Sequence, residues 1–136
     1  MLTHNQLLFN GRIQKVKKNR ATNLKNQPQI KGVVLRVRIQ TPKKPNSARR
    51  PVCKVALTNK RTILAHIPGA GHNLRKHSQV LIAGVGCKDL PGINYTCVRG
   101  VYDFSGMLSK SNRRSVYGTK LPDKLKKKLR RKFRQI

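Results

Sequence analysis

Acidic residues are nearly absent from this chain. It has 136 residues, of which 32 are Lys or Arg and 3 are Asp or Glu, so its formal net charge is +29. Because like charges repel one another in a compact particle, a dense polyanion is the expected partner, and nucleic acid is one. Catalysis needs a second carboxylate or a paired nucleophile and base, so the scarcity of acids also argues against an enzyme that acts on a small-molecule substrate.

Aromatic residues and long apolar runs are scarce too. The chain has no Trp, and Phe and Tyr number 3 each. A protein that binds single strands by stacking needs one ring for each stacked base, so we expect backbone contact and shape recognition instead. The sequence has neither an apolar run of about 18 residues nor a Trp-bearing amphipathic helix, so no membrane is expected as a partner.

Cysteine is represented by Cys53, Cys87 and Cys97, which lie far apart without a C-x-x-C motif. An odd, scattered set makes no disulfide framework and is typical of a reducing compartment. With His72 and His77 the cysteines can be imagined as zinc ligands, but their spacing matches no common zinc pattern. We therefore expect buried thiols that pack as small apolar groups, with no metal and no cofactor.

Basic segments flank a more apolar middle. Residues 1–31 carry many cations and no acid, and we interpret them as an extension that orders against RNA, with a disordered tail as the alternative. Thr3 and Gln6 have the spacing of a capping box, which predicts a short helix at about residues 3–9. The start has no signal-peptide core and lacks the look of a transit peptide, so if the protein works in an organelle, we expect it to be synthesised there.

Residues 109–136 are a second basic segment. Apolar residues recur there every four positions, and Pro122 is suited to the first turn of a helix. The recurring residues are Leu121, Leu125, Leu129 and Phe133. We predict a helix at about residues 122–133 that docks on RNA or on a neighbouring protein.

Residues 32–108 alternate between apolar and polar side chains, which is typical of half-buried strands. In the first strand, from Val33 to Ile39, the alternation predicts that Leu35, Val37 and Ile39 point inward. Arg36 and Arg38 then point outward, towards an anionic partner. Four more strands are predicted: about 52–58, a third that contains Ile63, Ala65 and Ile67, then 79–83 and about 94–101. The second and third read as an antiparallel hairpin, and five short strands indicate an all-β barrel of the OB-fold type.

Thr41-Pro42-Lys43-Lys44-Pro45-Asn46-Ser47-Ala48 is the most unusual stretch. Its prolines restrict the backbone, while its lysines and short polar side chains can contact phosphates and hydroxyl groups. A stiff loop of this kind is suited to inspecting a polynucleotide, and a simple basic turn between strands is the alternative.

Two further turns carry polar side chains. Ile67 to Leu74 holds glycines spaced like the start of a dinucleotide fingerprint, but the third glycine and the βαβ context are missing. A better interpretation is a glycine turn that approaches RNA, with His72 and Asn73 as polar contacts. Lys88-Asp89-Leu90-Pro91-Gly92 has the composition of a turn in which the carboxylate bonds to local backbone.

Taken in order, these blocks resemble the small-subunit ribosomal protein twelve family, the decoding-centre protein. The T-P-K-K-P-N-S-A block and a P-G-x-G-H-N-L block are the most specific, and the resemblance runs from about residue 3 to about residue 120. The matching blocks are Asn5-Gln6-Leu7, Pro28-Gln29, Gly32-Val33, Thr41 to Ala48, Leu57-Thr58-Asn59, Ile67 to Leu74 with His77-Ser78, Lys88 to Gly92, Val98-Arg99-Gly100 and Tyr117-Gly118.

The resemblance implies an OB-fold with an N-terminal extension that threads through small-subunit rRNA. It implies that Pro45, Asn46 and Ser47 lie against the codon–anticodon helix at the aminoacyl-tRNA site. It also implies that residues 88–92 form a second accuracy loop, in which the family methylthiolates the residue matching Asp89 in many bacteria. The rRNA-binding residues that we expect are Lys43, Lys44, Arg36, Arg38, Arg50, His72, Asn73, Lys88, Arg99, Arg113 and Arg114.

The implied partners are small-subunit rRNA, aminoacyl-site tRNA, mRNA, neighbouring ribosomal proteins and, transiently, elongation factors. The chain departs from the family where Ala70 replaces a glutamate and where Gly86-Cys87 replaces Arg-Val. Ala65-His66-Ile67 resembles mitochondrially encoded versions, so we expect a mitochondrial ribosome in the matrix, with a plastid or bacterial ribosome as the alternatives. A free OB-fold RNA-binding protein or RNA chaperone is the competing function.

Overall fold

Five strands form a closed barrel in the computed structural model, which describes residues 3–123 and 125–126. The strands lie in the order β1-β2-β3-β5-β4, and β1 pairs with both β2 and β4. All pairs are antiparallel except β3–β5, which is parallel and closes the barrel. This confirms the predicted five-stranded, OB-like fold. The strands are β1 (Gln29–Gln40), β2 (Arg50–Leu57), β3 (Thr62–His66), β4 (Gln79–Ala83) and β5 (Tyr95–Val98).

The barrel interior is filled by side chains that alternate along each strand, as the period-two pattern requires. On β2 and β3 these are the residues that the alternation predicted to point inward. β4 and β5 contribute further apolar residues, and the ring of Phe104 is fully buried beside them. The main inward residues are Cys53, Val55, Leu57, Ile63, Ala65, Ile67, Val80, Ile82, Tyr95 and Cys97.

The inward face predicted for β1 is wrong at two positions. Val34 is fully buried, whereas Leu35 is 38% exposed and Ile39 is 70% exposed. The register against β2 shifts between Val34 and Arg36, which leaves Leu35 as an extra residue in a β-bulge. Because a bulge displaces the alternation by one position, Val34 replaces Leu35 in the inward set, while Val37 still packs against the core. Ile39 lies one residue from the end of β1, beyond the bulge, which does not account for its exposure.

A segment before β1 closes one end of the barrel. Leu24 of the 3-10 turn Thr22–Leu24 and the preceding Ala21 join the core, and the backbone N–H of Asn23 donates to the hydroxyl oxygen of Tyr95 at 3.2 Å. A Cβ built on Gly84 lies 2.7 Å from Ala21 Cβ, so a larger residue would displace the segment. The segment is therefore packed onto the barrel before the polypeptide enters β1.

The two ends of the chain carry short helical elements. Helix α1 (His4–Phe9) is capped by Thr3, whose hydroxyl accepts from the backbone N–H of Gln6 while the Gln6 side chain accepts from Thr3. At the other end the backbone N–H of Lys126 donates to Pro122 O at 3.1 Å. Most of the helix predicted at 122–133, including Leu129 and Phe133, lies outside the described residues.

The chain between β5 and Pro122 folds back onto the barrel. The backbone N–H of Met107 donates to Tyr117 O at 2.9 Å, and the Thr119 hydroxyl donates to Met107 O. A Cβ on Gly118 would lie 2.7 Å from the carbonyl carbon of Arg99, so the two backbones are in close contact. The predicted boundaries at 31/32 and 108/109 stay predictions, although β1 begins at Gln29 and close packing continues to Thr119.

Two of the three thiols meet inside the barrel. Cys53 Sγ and Cys97 Sγ are 3.3 Å apart, and both residues are buried and unoxidised. The hydrogen bond with Cys53 and burial raise the pKa of the Cys97 thiol far above its ordinary value. These thiols therefore act as small apolar core residues, whereas Cys87 lies partly exposed on a loop.

The core packing predicts the effect of adding one methyl group. A Cβ at Gly32 would lie 2.5 Å from Val55 Cγ1 and 2.9 Å from Ala56 O, so Gly32→Ala is expected to cost about 1–3 kcal/mol of stability. Gly11→Ala is the matched control, because nothing lies within 4 Å of its Cβ. Urea unfolding of the free chain measures both, and coincident midpoints for the two variants would contradict the packing described.

Candidate nucleic-acid interface

Two loops meet at Asp89. The first loop (residues 41–49) joins β1 to β2, and the second loop (residues 84–94) joins β4 to β5. The backbone N–H of Lys43 donates to Asp89 O at 3.2 Å, and the Asn46 amide donates to Asp89 Oδ1 at 3.2 Å. The Arg50 guanidinium forms an ion pair with Asp89 Oδ2. One acidic residue thus connects the two loops that the sequence marked as separate motifs.

The second loop is anchored on the outside of the barrel. Leu90 is 1% exposed and packs with Ile93 against Val52 of β2, with Cys87 beside them. Leu90 is therefore an apolar anchor rather than a surface contact. Lys88, Pro91 and Gly92 are exposed, and Gly92 adopts a positive φ of 80° that favours glycine.

The tip of the first loop is open to solvent. Lys43, Lys44, Pro45, Asn46 and Ser47 are all exposed. The backbone N–H of Asn46 donates to Lys43 O at 3.1 Å, which closes a turn at the tip. Prolines on either side of the lysines and the links to Asp89 hold the backbone, while the Ser47 hydroxyl and both ammonium groups face outward. The tip can therefore present short polar groups and positive charge at a defined place.

The outer face of β1 and β2 is basic. Arg36 is paired in register with Lys54, and Arg38 is paired with Val52 two residues further along β1. All three cations are exposed, and in the described part of the chain none lies within 4 Å of a carboxylate. The predicted outward direction of Arg36 and Arg38 agrees with this arrangement. The face is well placed to contact phosphates.

Arg99 does not fit the predicted role in rRNA binding. Its side chain is 3% exposed, and its guanidinium donates to Pro68 O at 2.6 Å and to Ser105 O at 3.2 Å. It also donates to Gly71 O and lies 4.4 Å above the centre of the Phe104 ring. Burial lowers the pKa of Arg99, and Tyr117 opposes this shift. Arg99 stabilises the glycine turn from within, so its burial argues against a phosphate contact, and rRNA binding by Arg99 stays a prediction.

The glycine turn positions its polar residues differently from one another. The Asn73 amide donates to Asp103 O at 2.8 Å and accepts from the Ser105 backbone N–H at 3.1 Å. Its hydrogen-bonding groups are thus directed to the protein, which weakens the predicted rRNA contact. His72 is exposed and free to contact a partner. Gly69 and Gly71, at φ values of 90° and 69°, make the turn possible.

The remaining predicted residues lie in different settings. Arg113 is exposed, and Arg114 is half-buried in the segment that folds back on the barrel. Arg50 forms an ion pair with Asp89, and rRNA binding by Arg50 stays a prediction. Within residues 3–123 and 125–126 no three His, Cys or Asp side chains come together as metal ligands. The same residues include no helix long and apolar enough to span a membrane.

Sequence reasoning missed two residues near these sites. Asp103 accepts from the backbone N–H of Gln79 at 2.6 Å and so fixes the start of β4. His66 pairs with Val52 at the end of β3, close to Arg50 and Asp89. Burial, and then the charge of Arg50, lower the pKa of His66, while Asp89 raises it. No local sequence pattern predicts these contacts. Gln79 is distant in sequence from Asp103, and both Arg50 and Asp89 are distant from His66.

Comparison with known proteins gives the relationship directly. The profile of the family described as ribosomal protein S12/S23 matches residues 17–132. The chain belongs to the ribosomal protein S12/S23 family. It is 59% identical over 120 residues to a small ribosomal subunit protein uS12m of Paramecium tetraurelia, covering 88% of this chain and 86% of that protein. It is 52% identical over 122 residues to a uS12m of Bigelowiella natans, covering 90% and 97%.

Within this family member, burial of Arg99 leads to a prediction. Arg99→Met leaves the carbonyls of Pro68, Gly71 and Ser105 without their donor, so stability is expected to fall by about 1–3 kcal/mol. The salt dependence of RNA binding is expected to stay unchanged, because a buried guanidinium is not accessible to a phosphate. Arg38→Met, which removes an exposed cation, is expected to reduce the salt dependence of RNA binding and to leave stability unchanged. Urea unfolding and RNA titration at several salt concentrations measure both; a weaker salt slope for Arg99→Met would contradict this account.

The lowered pKa of His66 predicts a pH dependence of stability. Because the folded state resists protonation at His66, the unfolded state binds the proton more readily. The favourable contribution is present above the ordinary value of 6.5 and is lost as pH falls from there through the folded-state pKa. His66→Gln should therefore flatten the stability curve between about pH 5 and 7. Unfolding midpoints across this range test it, and equal slopes for both proteins would refute it.

Proposed function

We propose that the chain is a structural constituent of the mitochondrial small ribosomal subunit that binds rRNA and contributes to decoding accuracy. The observation that carries this function is the joining of the two exposed loops at Asp89, which supports a stiff decoding tip. Membership of the S12/S23 family supports the ribosomal role, and the relatives designated uS12m support the mitochondrial assignment.

Binding of rRNA is supported by the unbalanced surface charge. The formal net charge is +29, and in the described part of the chain Arg50–Asp89 is the one pair of opposite charges within 4 Å. The exposed cations need phosphates as their counter-ions. The contacts that we retain are Lys43, Lys44, Arg36, Arg38, His72, Lys88, Arg113 and Arg114, while Arg50 and Arg99 have structural roles.

A decoding role is supported by the shape of the first loop. The minor groove of an A-form helix is wide and shallow, and its 2′-hydroxyls are recognised by shape. Pro45, Asn46 and Ser47 present small groups that can follow this groove without preferring a base. We propose that they lie against the codon–anticodon helix, with aminoacyl-site tRNA and mRNA as partners and elongation factors as transient ones. Methylthiolation of Asp89 stays a prediction.

Both basic segments are proposed to bind within the subunit. The N-terminal segment up to residue 31 and the segment from residue 109 carry cations that need phosphate or an acidic neighbour. The helix predicted at 122–133 is proposed to dock on rRNA or on a neighbouring ribosomal protein. These contacts require no catalytic group, and the proposed function is non-enzymatic.

Sucrose-gradient fractionation tests the ribosomal role. A tagged chain expressed in mitochondria is expected to sediment with small subunits at moderate salt and to stay there through a second gradient. Sedimentation in the light fractions, free of small subunits, would favour a free OB-fold RNA-binding protein or chaperone instead.

Misreading assays test the decoding role. Contacts made only when the codon–anticodon helix is docked favour acceptance of near-cognate tRNA, so their removal is expected to lower near-cognate error. Ser47→Ala removes about one hydrogen bond, and we expect the error to fall about two- to fivefold. Lys43→Ala is expected to lower it at least about as much, because it removes a charge-assisted contact.

The matched controls are Ser109→Ala and Lys76→Ala, at exposed positions outside both loops. Small subunits reconstituted with each variant are assayed for incorporation of near-cognate amino acids. Error rates for Ser47→Ala and Lys43→Ala that equal those of the controls would remove decoding from the role of the first loop.

A further inference from the structure

Arg50 lies where the first loop ends and β2 begins. It is paired in register with Gln40, the last residue of β1, so its backbone belongs to the barrel rather than to the tip of the first loop. Its side chain forms the ion pair with Asp89, and its Nε is buried without a hydrogen-bond partner. Arg49, the preceding residue, is exposed and has no hydrogen bond or ion pair from its side chain in the described part of the chain.

Asp89 is held from three different places. The Lys43 backbone N–H reaches its carbonyl oxygen, the Asn46 amide reaches Oδ1, and Arg50 reaches Oδ2. Lys43 and Asn46 belong to the tip, whereas Arg50 belongs to the barrel. The carboxylate therefore connects the barrel to the tip, because Oδ2 binds Arg50 of the barrel and Oδ1 binds Asn46 of the tip.

The second loop supplies the other end of this connection. Leu90, next to Asp89, is packed with Ile93 on Val52, which lies two residues after Arg50 on β2. The ion pair and the apolar anchor thus attach the second loop to β2 at neighbouring points. With both in place, residue 89 cannot turn away without breaking a charge-assisted bond or uncovering an apolar side chain.

We propose that Arg50 is a positioning residue for decoding: through Asp89 it joins the first and second loops into one rigid unit, and it does not itself bind rRNA. When Arg50 is absent, Asp89 keeps its hydrogen bonds to the Lys43 N–H and the Asn46 amide of the tip and loses its ion pair with the barrel. The tip then moves relative to the barrel, and Ser47 meets the codon–anticodon helix in a wider range of positions. This inference rests on the proposed decoding function for its consequence, but not for its geometry.

Hydrogen exchange on the full-length free chain tests the geometry. The Lys43 amide, bonded to Asp89 O, is the reporter, and the His77 amide, bonded to Val34 O at 2.7 Å, is the internal control for global stability. Arg50→Gln and Asp89→Asn are each expected to speed exchange at Lys43 by about threefold, the factor typical of a partly exposed ion pair. The double variant is expected to be no faster than either single variant, because the two residues act as one pair.

Arg49→Gln is the matched control, since it removes one positive charge at the adjacent residue; it is expected to leave Lys43 exchange at the wild-type rate. Arg50→Lys keeps the charge and is expected to restore part of the protection. Equal exchange at Lys43 in wild type, Arg50→Gln and Arg49→Gln would overturn the proposal. So would acceleration at His77 equal to that at Lys43, because the effect would then be global.

The consequence for decoding is measured in reconstituted small subunits. Arg50→Gln and Asp89→Asn are expected to lower near-cognate error about twofold or more while incorporation into subunits and the salt dependence of rRNA binding stay as in wild type. A reduced salt slope for Arg50→Gln alone would show that Arg50 binds a phosphate and would overturn the proposal. If Ser47→Ala leaves error unchanged, the decoding function fails, yet the exchange result at Lys43 still decides whether Arg50 joins the loops.

Discussion

Repulsion between basic side chains is the constraint on which the rest of this structure depends. With 32 Lys and Arg against 3 acids, the surface cannot neutralise itself. Asp89 and Asp103 both hold structural positions, one between two loops and one at the start of β4. Neither is spread over the surface to balance charge. The barrel must therefore be held by its apolar interior, and the external counter-ion must be a polyanion.

The barrel determines where the polar groups lie. Its core of aliphatic side chains, with Phe104 and two thiols, fixes the strands, and the second loop crosses the outer face of β2 because Leu90 and Ile93 need an apolar surface. That crossing brings Asp89 to the first loop. A motif of short polar residues becomes a defined surface only through this contact, since prolines restrict the loop but do not attach it to anything.

The sequence predicted the regular parts and missed those that depend on distant contacts. Alternation located the strands and the β2–β3 hairpin, because period two is a local property. It could not locate the bulge at Leu35, since the extra residue is decided by pairing with β2. Nor could it separate Arg99 and Arg50 from the surface cations. A buried arginine and an exposed one look alike in a basic sequence until their carbonyl or carboxylate partners are brought close.

The structural roles of Arg50 and Arg99 show that arginines in a basic, RNA-binding protein differ in function. Affinity for RNA scales with the number of phosphates neutralised, so most exposed cations here are interchangeable contributors. Arg99 and Arg50 are different. Arg99 donates hydrogen bonds to several backbone carbonyls, and Arg50 forms an ion pair with one specific carboxylate, in each case from a fixed backbone. Replacing a surface lysine weakens binding in proportion, whereas replacing either of these arginines changes the geometry of a loop. In a chain with so few acids, an arginine beside a carboxylate is thus better evidence of a shape requirement than of a phosphate contact.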